Sequence, residues 1–180
     1  MIPRSAARPL FKSLIGSALI VVSALSLAQE MPTQPCLGNT VPQFADYAVE
    51  PETVTWRAKL KLNNEFSRMF RTRLRAGLRD DPIELAGHYV VVTFGCGSSC
   101  LYGGFVDART GEATELPFAL SSFVLFGVDD PLQFRPDSRL VIMRGAINEA
   151  DDPAVEAYFE WTGKHLESIC HRPLPNQAGE

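Results

Sequence analysis

Cys96 and Cys100 stand in the run Gly95-Cys96-Gly97-Ser98-Ser99-Cys100, with His88 eight positions before Cys96. These residue types allow four chemistries. Thiol–disulfide exchange needs an exposed thiol of lowered pKa, most often in Cys-x-x-Cys at a helix start. Here the spacing is Cys-x-x-x-Cys between two strand-like runs. A structural zinc site takes four ligands, and His88, Cys96 and Cys100 are the three convenient ones. Ser98 or Ser99 with His88, His165 or His171 holds the makings of a serine hydrolase. The Gly-x-Ser-x-Gly elbow and the strand–turn–helix that it requires are missing, however. The favoured reading is a structural disulfide, with glycines supplying backbone freedom at the turn. No catalytic residue, cofactor or metal is assigned.

A disulfide needs an oxidising compartment, and the first 28 residues point to one. Arg4, Arg8 and Lys12 are followed by an uncharged run, Leu14 to Ala28, that ends in Ser26-Leu27-Ala28 before Gln29. That pattern reads as a secretory signal peptide, removed after residue 28. A run of about 15 residues is short for a membrane span, which needs roughly 20. The expected location is exported, periplasmic or secreted, with no transmembrane segment after cleavage. All four cysteines lie in the remaining chain. Three pairings are possible; we favour Cys96 with Cys100, and Cys36 with Cys170 as a staple across the domain.

The elements that would position these groups follow from hydrophobic period. Residues 29–51 are rich in Pro and read as an extended lead-in. Val54 to Leu62 alternates apolar and polar residues, which predicts a strand. Asn63 or Asn64 can cap a helix over about 64–78. Phe66, Met69, Phe70, Leu74 and Leu78 form its apolar face, and Gly77 and Asp80-Asp81-Pro82 break it. Strands are expected over His88–Phe94, Leu101–Asp107, Glu112–Phe118, Arg139–Arg144, Val155–Trp161 and His165–Ile169. Phe123–Val128 is a short apolar run and residues 149–153 an acidic loop. A tight hairpin is expected at Asp107-Ala108-Arg109-Thr110-Gly111. Residues 171–180 read as a mobile tail. Turn signals about every ten residues argue for an α+β fold, mainly an antiparallel meander or sandwich with one amphipathic helix over a single domain, 52–170. Two runs, Phe134–Ile142 and Tyr158–Leu166, have the grammar of propeller hairpins, but the chain is too short for a ring of blades of roughly 40 residues each.

The segment Gly87-His88-Tyr89, the loop Gly95-Cys96-Gly97-Ser98-Ser99-Cys100 and the hairpin Asp107-Ala108-Arg109-Thr110-Gly111 together resemble an uncharacterised family of small exported proteins of Gram-negative bacteria. The resemblance implies export and a shared fold. It carries no activity and no catalytic residue.

Charge is unevenly placed. Residues 29–180 hold 14 basic and 21 acidic side chains, a formal charge of −7, which argues against nucleic acid as a partner. Yet Arg57 to Arg79 contains eight basic residues and one acid, Glu65. On a helix, Arg68, Arg71, Arg75 and Arg79 would form the outward face. It is either a solvated surface that pairs with acidic loops or a surface facing an anionic envelope polymer or acidic partner. Arg73 falls on the apolar side, so it is expected to form a buried ion pair with Asp107 or Glu84. The leading functional expectation is a non-enzymatic binding or envelope-interaction module. An inhibitor or immunity-type protein acting on a cationic lytic enzyme is its specific version. The alternative is an enzyme with thiol or hydrolase chemistry at Cys96–Cys100.

Overall fold

Tyr89-Val90-Val91-Val92 is apolar at four consecutive positions, so a strand built from it has two apolar faces and must be covered twice. The computed structural model, which describes residues 31–38, 40–148 and 154–175, shows both covers. Eight strands form one sheet: β1 (Tyr89–Gly97), β2 (Cys100–Asp107), β3 (Ala113–Glu115), β4 (Leu120–Ser121), β5 (Leu132–Gln133), β6 (Leu140–Ile147), β7 (Val155–Trp161) and β8 (Leu166–Pro173). The main order is β1-β2-β4-β6-β7-β8, with β3 on β2 and β5 on β6. Every ladder is antiparallel. This is the α+β architecture expected from the strand spacing, with no propeller ring.

The two halves of the sheet pack face to face. Tyr89, Val91 and Phe105 of β1 and β2 share one core with Val141, Met143, Phe159 and Trp161 of β6 and β7. Trp161 is the hub: Phe105 and Tyr89 meet its ring edge-on, at centroid distances of 4.8 and 5.2 Å. Truncating a buried Trp of this kind costs about 3–5 kcal/mol. Alternate residues point the other way. Val90, Val92, Phe94 and Val106 pack on the helical layer, through Phe66, Leu74 and Leu78. Leu140, Ile142 and Tyr158 pack on the lead-in, through Cys36, Val41, Phe44 and Tyr47.

The helical layer differs from the single helix expected over 64–78. It consists of α1 (Glu65–Met69) and α2 (Arg71–Asp80), separated at Phe70. Asn64 is the cap, accepting from the Ser67 backbone N–H at 2.7 Å. The break has a packing reason: α1 lies on β3 and α2 on β1, and Phe70 stacks on Phe94 at 4.5 Å between them. Met69, placed on the apolar face by its spacing, is 62% exposed. Gly77 does not break α2; it lets the helix approach β1, since a Cβ there would meet Val92 Cγ2 at 2.6 Å.

Other boundaries also moved. Residues 54–62 are extended but form no strand: Ala58 N–H donates to Ala108 O and Lys61 N–H to Gly111 O, both at 2.8 Å, and no ladder connects them. The apolar run at Phe123 is a 3₁₀ turn, Phe123–Phe126, with Val124 and Leu125 exposed. The lead-in contains a 3₁₀ turn at Phe44–Tyr47. His171, Arg172 and Pro173, expected in the tail, belong to β8, because they pair with Val155–Ala157 of β7. The signal segment, the acidic loop 149–153 and residues 176–180 lie outside the described residues.

Both cysteine pairs are bonded as favoured: Cys36–Cys170, 134 positions apart, and Cys96–Cys100, four apart. The first ties the lead-in to β8, where Cys36 N–H also donates to His171 O at 2.9 Å. Among the described residues, the most deeply buried charged side chain is Glu156 on β7. Arg144 on β6 and Arg172 on β8 are its direct cross-strand neighbours, at 3.1 and 2.9 Å, and the Tyr158 hydroxyl donates to it as well. Burial alone would raise the Glu156 carboxyl; the Tyr158 hydroxyl and the two guanidinium groups outweigh it and hold the group below the usual range.

Two outcomes follow for stability. Replacing Cys36 and Cys170 together by Ser lowers the unfolding free energy by about 4–5 kcal/mol by the chain-entropy estimate, whereas replacing Cys96 and Cys100 costs much less because that loop is short. Urea unfolding of the two double variants measures both. A folded-state carboxyl held low contributes stability above its ordinary pKa and loses it as pH falls through the folded value. Glu156→Gln therefore costs about 1–3 kcal/mol at neutral pH and flattens the acid side of the stability curve, read from thermal unfolding across pH 3–7.

Candidate functional site

The cystine loop closes the β1–β2 hairpin. Ser99 holds a left-handed backbone (φ 51°), its carbonyl accepts from Ser122 N–H at 2.9 Å and its hydroxyl from Val124 N–H at 3.4 Å. The loop thus braces the neighbouring 3₁₀ turn. There is no free cysteine. His88 lies at the opposite end of β1, eight strand positions or about 26 Å from Cys96. His165 belongs to the Thr162 turn and His171 to β8, so neither serine is served by a histidine. The side chains weighed for thiol, metal or hydrolase chemistry are therefore not assembled. Among the described residues, no three His, Cys, Asp or Glu side chains converge as metal ligands.

His88 instead joins a charged cluster at the base of the β2–β3 hairpin. Arg109 Nη2 lies 2.7 Å from its Nε2, and a guanidinium only donates, so that nitrogen accepts. Glu52 Oε1 approaches Nδ1 at 3.0 Å, off the line of an aligned hydrogen bond. Arg109 also pairs with Glu52 at 3.2 Å. Asp107 accepts from the backbone N–H groups of Arg109 and Thr110, at 2.8 and 3.3 Å, and so folds the hairpin turn. The cluster fastens the extended segment at Glu52, whose N–H donates to Gly87 O.

Arg73 and Asp107 do not form the expected buried pair. Arg73 is exposed and its guanidinium lies over the Phe94 ring, 5.3 Å from the centroid. The long side chain covers apolar surface while its head stays in water, which removes the need for a carboxylate. Glu84 is not its partner either; burial first, then Asp81, raises the Glu84 carboxyl.

Arg68, Arg71, Arg75 and Arg79 are all exposed, as the helix period predicts. Arg68 and Arg71 donate to the carbonyls of Leu62 and Arg68, and Arg79 grips Asp80 through two hydrogen bonds. The residue that organises this side is Arg57. Its Nη1 donates to Leu78 O at 2.8 Å and Asp81 O at 2.6 Å, satisfying carbonyls that the end of α2 leaves open. That contact holds the extended segment beside the helix. Between them runs an open groove of about 710 Å³. Its walls carry Arg57, Lys59, Arg75 and Arg79, with no acidic side chain, and Trp56, 67% exposed. The cationic density of 57–79 was readable from sequence. Trp56 was not, because its alternating position placed it on the buried face.

No family model, curated protein or solved structure matches the chain.

Because Arg73 is a surface cation over a ring, Arg73→Met shifts stability by less than about 1 kcal/mol. Urea unfolding of the variant measures this; a loss of 3 kcal/mol or more, which breaking a buried pair costs, would contradict the placement.

Proposed function

We propose that this protein is an exported, non-enzymatic binding module that engages an anionic component of the cell envelope through the α2 side. The observation that carries the reading is the groove between residues 54–60 and α2, whose walls are cationic although residues 29–180 carry a formal charge of −7. A solvated helix face would be expected to pair with acidic loops. Among the described residues, which do not include the acidic loop 149–153, only Arg79 of the four outward arginines forms an ion pair, with its own neighbour Asp80. Two disulfides fit an oxidising compartment. The enzymatic alternative has less support, since both loop cysteines are bonded and both serines stand apart from the histidines.

The test is co-sedimentation of the mature protein with envelope material from the producing cells. The wild type sediments at low salt and is released as ionic strength rises, because surface charge contacts are screened. Replacing Arg68, Arg71, Arg75 and Arg79 by Gln abolishes sedimentation and leaves thermal stability within about 1 kcal/mol. Equal sedimentation of the quadruple variant would reject the reading.

A further inference from the structure

Trp56 separates this groove from a plain basic patch. An indole two-thirds in water gives up about 1.5–3 kcal/mol of possible burial, and among the described residues no ring or guanidinium stacks on it. It does not belong to any of the three cores. It stands next to Arg57, which is fixed by two carbonyls, so the backbone that carries it is anchored. The groove thus presents a flat apolar face on a held segment, with Lys59 on the same segment and Arg75 and Arg79 on the facing helix.

These parts match one ligand chemistry. A pyranose ring has a flat face of C–H groups that packs on an indole, and its hydroxyls need a wet, open cleft. A uronic acid adds one carboxylate per ring. Arg75 on α2 faces Lys59 across the groove, and Arg71 stands one turn before it, a rise of about 6 Å, so cations continue along the helix beyond the groove. A guanidinium pairs with carboxylate in a bidentate fork. An acidic peptide would use the cations equally but would leave the indole without a matching ring. We infer that the groove binds a linear acidic polysaccharide built of uronic acid units, with one sugar ring on Trp56 and carboxylates on Lys59 and Arg75.

This inference rests on the anion-binding reading above, and its test separates the two. Trp161 is 1% exposed, so acrylamide quenching of tryptophan fluorescence reports on Trp56. Polygalacturonate is the probe, with poly-L-glutamate and dextran as comparators. Polygalacturonate shields the fluorescence from acrylamide, dextran does not, and Trp56→Ala weakens polygalacturonate binding by about tenfold or more. Trp56 is outside the cores, so the variant keeps the wild-type unfolding midpoint. Poly-L-glutamate binding as tightly as polygalacturonate, with Trp56→Ala binding unchanged, would overturn the sugar assignment and leave the anionic reading standing. No binding of either polyanion at low salt would overturn both.

Discussion

The rest of the structure depends on a strand pair that is apolar on both faces. β1 and β2 cannot leave either side in water: Tyr89, Val91 and Phe105 must be covered on one face, and Val90, Val92 and Val106 on the other. The sheet solves the first by turning back, so that β6 and β7 bring Trp161 over Phe105. The helices solve the second, with Leu74 and Leu78 seated on Val90 and Val92. Once those two leucines are seated, the helical period leaves Arg71, Arg75 and Arg79 facing out. The close approach at Gly77 then sets how near the helix lies. The groove is thus a by-product of covering a two-faced strand: α2 provides one wall, and its open C-terminal carbonyls draw Arg57 in and hold the other.

Much of this was readable because period reports which way side chains point. Strands β1, β2, β6 and β7, a cap at Asn63 or Asn64 and the Gly111 turn all follow from local pattern; the structure settles the cap on Asn64. What period does not report is hydrogen bonding. Residues 54–62 alternate as a strand would, and Val54 and Leu60 do pack on the helical core. A ladder requires successive bonds to a neighbour, and this segment makes isolated ones at Ala58 and Lys61. The alternation was therefore true of most side chains and false of the ladder, and Trp56 is where it failed outright. The helix break at Phe70 was invisible for a related reason. Spacings of three and four continue through it, and the change of direction comes from α1 and α2 resting on different strands.

Buried charge was misplaced for an instructive reason. A helical wheel flags an arginine on the apolar side, but a long flexible cation can lie along a ring and keep its head wet. A short carboxylate on a central strand has no such escape. Glu156 sits in Val155-Glu156-Ala157-Tyr158-Phe159, which reads as an ordinary alternating strand, and its need for partners becomes visible only when register sets Arg144 and Arg172 on either side. Arg144 belongs to a strand that the sequence located, whereas Arg172 was expected in the tail, and the triad depended besides on register, which local pattern in a single chain does not specify.

Charge segregation also decides how such a protein could approach a polyanion at all. With a formal charge of −7 over residues 29–180, long-range repulsion opposes the encounter. At physiological ionic strength the Debye length is about 8 Å, so charges beyond that distance count for little. Cations within contact reach then outweigh the more distant acids. In the groove Arg79 is offset by Asp80, but Arg57 is spent on backbone carbonyls, so its charge still adds to the local field beside Lys59 and Arg75. Arg109, by contrast, is surrounded by Glu52 and Asp107 and contributes little outward field. Arginines of one chain thus divide by whether an acid stands beside them: Arg79 and Arg109 have one, while among the described residues Arg71 and Arg75 on α2 have none.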